Sequence, residues 1–128
     1  MSGAMEVLQG WFHGHGQDAL APEVVFRDMT APDLVLRGPA AVEQFLHGFY
    51  GAFEASGARP ARAHAAGEET VVMEFTFWGR NQKKALGAIP PAGKDAELPI
   101  CAVYQVRRGK IDEITIYYNA AALITQLG

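Results

Sequence analysis

The chain has 128 residues, of which 49% are hydrophobic and 20% charged, a composition typical of one globular domain and not of a disordered or membrane-embedded chain. Eleven basic against 14 acidic residues give a net charge of -3, and this balance disfavours a nucleic-acid partner. The single cysteine excludes an intramolecular disulfide, and the four histidines show no metal-ligand spacing. With no secretory signal and no run of about 20 apolar residues, we expect a cytoplasmic protein without a cofactor, a metal or a membrane partner.

The first half of the chain predicts helices and two short strands. A first helix, ending near Gly14, is predicted by the helical spacing of Met5, Leu8, Trp11, Phe12 and His15. A helical turn at 18–20 and strands at 24–26 and 34–36 follow. The longest helix begins at Gly38-Pro39 and is predicted to end at Ser56-Gly57. Its one apolar face is formed by Val42, Phe45, Leu46, Phe49 and Phe53.

The second half predicts long strands. Residues 69–78 alternate, with one face made of Val71, Met73, Phe75 and Phe77 and the other of Val72, Glu74, Thr76 and Trp78. A strand at 99–106 turns back through Arg107-Arg108-Gly109-Lys110 into a last strand at 111–118. Helices followed by strands predict an α+β domain, with the helices on one face of a curved antiparallel sheet.

Four segments, in this order and spacing, resemble the SnoaL-like polyketide cyclases of the nuclear transport factor 2-like, ketosteroid isomerase-like superfamily. They are LRGPAAVEQFLHGFYGAF, GAIPPAGK, VYQVRRGKI and LITQLG, and the resemblance is best over residues 34–128. It implies a single domain over 1–128, in which a cone-shaped sheet packs against three N-terminal helices around an apolar cavity. Such a cavity would hold a small hydrophobic molecule.

The alternating strands supply the expected wall of that cavity. Its predicted members are Met73, Phe75 and Phe77, together with Val71, Cys101 and Val103. The competing interpretation is that these side chains simply fill the core, because buried apolar faces are the rule. Cys101 has no adjacent histidine or lysine to activate it, which favours a small buried hydrophobe over a reactive thiol.

Asp28 is the first candidate for a catalytic residue. It follows the strand at 24–26, and the resemblance to ketosteroid isomerases implies a general base at a similar position. An aspartate partly withdrawn from water suits the removal of a proton next to a carbonyl. The alternative is that Asp28 caps the following turn.

Asn119 stands where the resemblance implies an acid on the last strand. An amide cannot serve as a general acid or base near neutral pH, but it can hold a carbonyl or enolate oxygen. The alternative is that Asn119 merely ends the strand.

His15 is a second candidate acid or base because its ordinary pKa suits proton transfer near neutral pH. The alternative is a solvated histidine at a frayed helix end.

Three further side chains are candidates for ligand contacts. Trp11 is a candidate cavity wall, and Tyr50 and Tyr118 could reach a ligand with their phenol groups. Tyr117 and Tyr118 point to opposite faces of their strand, and the period shared with Ile114 and Ile116 assigns Tyr118 to the apolar side.

The opposite face of the sheet is predicted to form a homodimer interface through Trp78, Thr76, Val72 and Tyr104. The leading functional hypothesis is a cofactor-independent acid/base enzyme, a cyclase or isomerase in the isomerase or lyase class, acting on a small apolar carbonyl compound. A non-catalytic binding module for a hydrophobic metabolite is the alternative. An epoxide hydrolase or epoxide-opening cyclase is a third, although the paired carboxylates it needs are not evident.

Overall fold

The computed structural model describes residues 3–14 and 16–128, and its centre is a curved six-stranded sheet. In spatial order the strands are β2 (Val35–Arg37), β1 (Leu20–Asp28), β6 (Lys110–Tyr118), β5 (Ala96–Arg107), β4 (Thr70–Gln82) and β3 (Phe53–Ala65). The helices are α1 (Ala4–Gly14), α2 (Pro39–Tyr50) and α3 (Ala120–Leu127), with a 3₁₀ turn at Gln17–Ala19. The predicted α+β class and cone-type fold are confirmed.

The sheet is mixed, whereas the sequence predicted an antiparallel one. Four neighbouring pairs are antiparallel, but β1 and β6 run parallel, with Asp28 beside Ile116. A parallel pair of strands needs a long connection, and the connection from β1 to β6 contains most of the chain. This pairing joins the first and last strands and thereby brings distant side chains together.

The long helix ends earlier than predicted. α2 stops at Tyr50, and residues 53–65, which start inside the predicted helix, form the edge strand β3. The exposed side chains of β3 give it almost no hydrophobic alternation, so its signal is weak in the sequence. Pairing decides its conformation: β3 is registered against β4 along its length, and Gly57 lies so close to the Trp78 indole that a Cβ there would come within 2.9 Å of the ring.

One face of the sheet is the core. The predicted alternation of β4 is confirmed, since Val71, Met73, Phe75 and Phe77 are buried and the residues between them are half-buried. α1 and α2 pack over this face, and Leu8 and Val42 are completely buried beneath them. The longest helix described, α2, has 12 residues, and no helix in the described part of the chain is long and apolar enough to cross a bilayer.

Candidate active site

A small cavity lies between the inner face of the sheet and helices α1 and α2. Its volume is about 50 Å³, enough for a few water molecules and far below the roughly 300–1,000 Å³ of typical ligand pockets. Its wall is almost wholly apolar and aromatic, and the lining residues are Trp11, Phe12, Phe26, Phe45, Leu46, Phe49, Tyr50, Phe75, Phe77, Ile100, Tyr104, Ile114, Ile116 and Tyr118. We call this space the inner cavity.

The inner cavity is flanked by two larger openings, one on each side of α2. The apolar groove, of about 530 Å³, lies between α2, the loop at 85–89 and α3, and it shares Phe45, Phe49 and Tyr118 with the inner cavity. The polar recess, of about 550 Å³, lies between α1, α2 and β3 and is bordered by His13, Glu43 and His47, among others. The aromatic side chains of α2 therefore separate the inner cavity from both openings.

Edge-to-face ring contacts explain why so little space is left inside. The ring of Phe77, which is fully buried, has its centroid 4.7 Å from that of Phe49 and 5.2 Å from that of Tyr50. Phe12 meets Phe75 in the same way at 5.1 Å. Aromatic pairs in this geometry stabilise by about 0.5–1.5 kcal/mol beyond the area they bury, so the rings around the cavity are well packed.

The polar centre of the site is Asp28, which is 7% exposed. One carboxylate oxygen accepts a hydrogen bond from the Tyr118 hydroxyl at 2.8 Å; the other accepts from the Thr30 hydroxyl at 2.6 Å and the Thr30 backbone N–H at 2.9 Å. The Thr30 hydroxyl is also 3.3 Å from the Tyr118 hydroxyl. Asp28, Thr30 and Tyr118 thus form a connected polar cluster, and Tyr118 is its member in the cavity wall.

The parallel pairing of β1 and β6 builds this cluster. Asp28 is the last residue of β1 and lies beside Ile116, and the N–H of Met29 bonds to the Ile116 carbonyl at 3.0 Å. Tyr118 follows Ile116 by two positions, so both side chains are on the same face. The alternative prediction, that Asp28 caps the following turn, is met by its bonds to Thr30, and the same carboxylate also accepts the bond from Tyr118.

Burial keeps the cavity phenols protonated. It raises the pKa of Tyr118 to about 12; the bond with Thr30 opposes that shift, whereas the bond with Asp28 and its negative charge add to it. Burial likewise raises the pKa of Tyr50 to about 12, and it raises that of Tyr104 as well. At neutral pH these groups can donate hydrogen bonds, but a free phenolate is strongly disfavoured.

Most of the residues predicted to contact a ligand lie around the inner cavity. Trp11, Tyr50, Phe75, Phe77 and Tyr118 line the inner cavity. Met73 is buried on the same face, next to this group but outside the lining. Glu74, as predicted, lies on the outer face, where it is paired with Arg62 at 3.1 Å.

Three predictions on β5 were wrong, all for the same reason. Cys101 pairs with Glu74 and Val103 with Val72, and residues directly opposite in a sheet share a face. Cys101 and Val103 therefore lie on the outer face, and Tyr104, predicted for that face, is buried against the inner cavity instead. The signal was present in the alternation of β5, whose buried members are Ala96, Leu98, Ile100, Ala102, Tyr104 and Val106.

Asn119 does not line the cavity. It is exposed and is the N-cap of α3, where its side-chain oxygen accepts from the N–H groups of Ala121 at 3.0 Å and Ala122 at 3.3 Å. The predicted contact between Asn119 and a substrate oxygen is therefore replaced by helix capping, a role that asparagine fills well. His15 lies outside the described residues.

Sequence reasoning missed the partners that complete the site. Thr30 was not singled out, although a threonine two positions after an aspartate is a common turn signal. Phe45 and Phe49 were assigned only to the apolar face of the long helix. Within residues 3–14 and 16–128, no group of three or more His, Cys, Asp or Glu side chains could hold a metal ion.

Comparison with known proteins gives a family and a set of structural neighbours. The model of the SnoaL-like polyketide cyclase family matches residues 6–127. No protein with a curated description matches the chain.

The solved structures that are similar in fold include the following three. A candidate SnoaL-like polyketide cyclase from Jannaschia sp. CCS1 has a TM-score of 0.85 and 13% identity, over 97% of this chain and 90% of that one. A candidate polyketide cyclase from Xanthomonas campestris pv. campestris has a TM-score of 0.84 and 22% identity, over 98% and 96%. IdmH, a candidate polyketide cyclase from Streptomyces antibioticus, has a TM-score of 0.79 and 18% identity, over 98% of each chain. At these identities the likeness shows the fold alone.

Proposed function

The chain belongs to the SnoaL-like polyketide cyclase family, and from that premise we propose that it is a cofactor-independent acid/base enzyme, a cyclase or isomerase acting on an apolar carbonyl compound. The observation that supports the proposal is the bond from Tyr118, in the wall of an apolar cavity, to the buried carboxylate of Asp28. This pair supplies a proton acceptor and a route to it from an almost wholly apolar cavity. The assignment to the cytoplasm stays a prediction.

In the proposed mechanism Asp28 is the base and Tyr118 the group that meets the substrate. The proton on the carbon next to the substrate carbonyl passes to the Tyr118 oxygen while the Tyr118 hydroxyl proton passes to Asp28, which leaves an enolate and a neutral carboxylic acid. The two transfers are coupled because the pKa of Tyr118, raised to about 12, disfavours a free phenolate. The reverse relay returns the proton to the enolate for isomerisation, or to the alkoxide formed when the enolate attacks a second carbonyl.

The developing oxyanion needs a donor inside the cavity. Tyr50 is our candidate, because its phenol lines the inner cavity and burial holds it protonated. Asn119 takes no part in this proposal because its side-chain oxygen caps α3.

A non-catalytic binding module is the second candidate, and the small inner cavity favours it. At about 50 Å³ the inner cavity has no room for a ring-containing carbonyl compound. Catalysis on such a compound therefore requires the aromatic side chains of α2 to move. An epoxide-opening enzyme is less well supported, since Asp28 is the single carboxylate bonded to Tyr118 among the described residues and no acidic residue lines the cavity.

Exchange of substrate protons with heavy water tests the proposal without knowledge of the natural substrate. With 2-acetylnaphthalene, a neutral two-ring ketone, wild-type protein should speed the loss of methyl proton signals over buffer. Asp28→Asn and Tyr118→Phe should each lower that rate about 10²- to 10⁴-fold, the usual contribution of a positioned base. Tyr117→Phe, at the exposed neighbouring position, is the matched control and should retain it. Binding of the ketone without exchange would leave the binding module as the better description.

The homodimer stays a proposal as well. Val72, Thr76 and Trp78 lie half-buried on the outer face as predicted, and exposed Tyr117 extends it. Tyr104 does not belong to that surface. A Trp78→Glu variant should shift a dimer to monomer in analytical ultracentrifugation, and a monomeric wild type at micromolar concentration would refute the proposal.

A further inference from the structure

The inner cavity is too small for a ring-containing carbonyl compound, whereas the apolar groove beside it is large enough for one. The inner cavity measures about 50 Å³ and the groove about 530 Å³, and only the larger value falls in the range of ordinary ligand pockets. Tyr118, Phe45 and Phe49 line both spaces. The Tyr118 ring therefore lies at the boundary, where a ligand in the groove would contact it.

The groove is built from parts that are fixed to the rest of the molecule. The loop that forms one wall is closed by reciprocal backbone bonds between Leu86 and Ile89, of 2.9 and 2.8 Å. Gln82, which is 1% exposed, holds both ends of this loop: its amide nitrogen donates to the Lys84 carbonyl at 3.1 Å, and its oxygen accepts from the Ala92 N–H at 3.2 Å. The groove thus exists before any ligand binds, at little further cost in ordering.

The side chains of the groove indicate what it would hold. Its walls come from the outer side of α2, the 85–89 loop and the first turns of α3, and no charged side chain of the described residues lines it. In the same part of the chain, Gln44 is its one polar side chain apart from Tyr118. Ile124 on α3 is 55% exposed at this surface, and the half-buried Leu86 and Ile89 continue the apolar wall. A continuous apolar patch at a groove is typical of binding sites. A neutral, apolar body fits these walls, whereas an ionised group would lose its hydration there without a partner.

We propose that the apolar groove is the second half of the substrate site. It holds the uncharged, multi-ring body of a carbonyl compound, while the reacting end reaches the Tyr118 hydroxyl past Phe45 and Phe49. This inference rests on the proposed function for the identity of the reacting end, but the binding it predicts can be measured without turnover. It assigns the selection of substrate size to α2, α3 and the loop, outside the conical core.

Two helical glycines give a matched pair of variants. Gly48 lies on α2 in the wall of the groove, and a Cβ built there meets no atom within 4 Å. Gly10 lies on α1, is equally exposed and equally unobstructed, and lines none of the three spaces defined above. Phenylalanine at either position replaces glycine in a helix and should not impair folding, but only Gly48→Phe puts a ring into the groove.

Binding of 2-acetylnaphthalene, followed through backbone amide shifts in nuclear magnetic resonance, tests the proposal. In wild-type protein the ketone should shift the amides of Ala88 and Ile124 in the groove together with that of Tyr118. Gly48→Phe should raise the dissociation constant about tenfold or more, the value of lost contact with roughly one ring, and Gly10→Phe should leave it within about twofold. Thermal unfolding of both variants verifies that they are folded.

Several outcomes would overturn the proposal. They are no binding at millimolar ketone, shifts confined to the inner cavity or the polar recess, and equal affinities of the two variants. A change of oligomeric state in Gly48→Phe alone would assign the groove to a second copy of the chain instead. If the ketone binds in the groove but exchanges no protons, the groove proposal stands and the enzyme proposal fails. If proton exchange occurs and Gly48→Phe leaves the KM of the exchange reaction unchanged, the enzyme proposal stands and the groove proposal fails.

Discussion

The hydrogen bond from Tyr118 to Asp28 should contribute measurably to stability, and Tyr118→Phe removes it without removing the ring. The bond is 2.8 Å long and ends on a carboxylate that is 7% exposed. Bonds to charged groups contribute about 1.5–3 kcal/mol. Asp28 keeps both donors of Thr30, and the Tyr118 hydroxyl is partly accessible to water, so we expect a loss near the low end, about 1–2 kcal/mol.

Urea unfolding at neutral pH measures this loss, and Tyr117→Phe is the control. Tyr117 adjoins Tyr118 in the sequence but is 47% exposed, so its variant should lie within about 0.5 kcal/mol of wild type. In an Asp28→Asn background, where a neutral amide replaces the carboxylate, Tyr118→Phe should cost about 1 kcal/mol less than in wild type. Equal losses from the two tyrosine variants, or a Tyr118 effect that ignores the Asp28 substitution, would refute the arrangement on which the proposed mechanism depends.

Three further predictions address other parts of the fold. Asn119→Ala should lower the unfolding free energy by about 0.5–2 kcal/mol through loss of the α3 cap, whereas Asn119→Asp should retain the cap and the wild-type stability. A large loss of proton exchange in the folded alanine variant would show instead that Asn119 acts in the site. Gly79→Ala should cost about 1–3 kcal/mol, because the new Cβ would lie 2.5 Å from the Phe53 ring; Phe53→Leu in the same chain should recover part of that cost in urea unfolding, and strictly additive costs would contradict the clash. Burial raises the pKa values of Tyr50 and Tyr118 from 10.0 to about 12 and so favours their protonated forms in the folded state. The contribution of these phenols to the unfolding free energy is therefore complete below pH 10 and is lost as the pH rises toward about 12. In a pH titration followed by phenolate absorbance, the Tyr50→Phe, Tyr118→Phe double variant should show two fewer late-titrating groups than wild type.

The strongest sequence predictions came from local periodicity. The alternation of Val71, Met73, Phe75 and Phe77 places one face of a strand against apolar partners, whatever those partners are, because side chains alternate along any strand. The same reasoning assigned Tyr118 to the apolar face of β6. Assigning a side chain to the apolar face of its own strand requires no knowledge of the neighbouring strands or helices.

Errors arose where a neighbouring strand decides the outcome. The faces of Cys101 and Val103 follow from their pairing with Glu74 and Val72 across β4 and β5, and a shift of one residue in that register reverses every side chain. The strand β3 is fixed by its pairing with β4 and not by any pattern of its own.

The sequence by itself determined the fold class, the inner face of β4, and Asp28 as the leading carboxylate. Only the tertiary structure decided what Asp28 contacts, because the parallel pairing of the first and last strands brings it to Tyr118, 90 positions away. The structure also separated two polar residues that looked alike in the sequence: Asp28 is buried beside the cavity wall, whereas Asn119 is exposed and caps a helix. The physical reason is that composition and periodicity record each residue's own preference, while a site is a set of contacts between residues far apart in the chain.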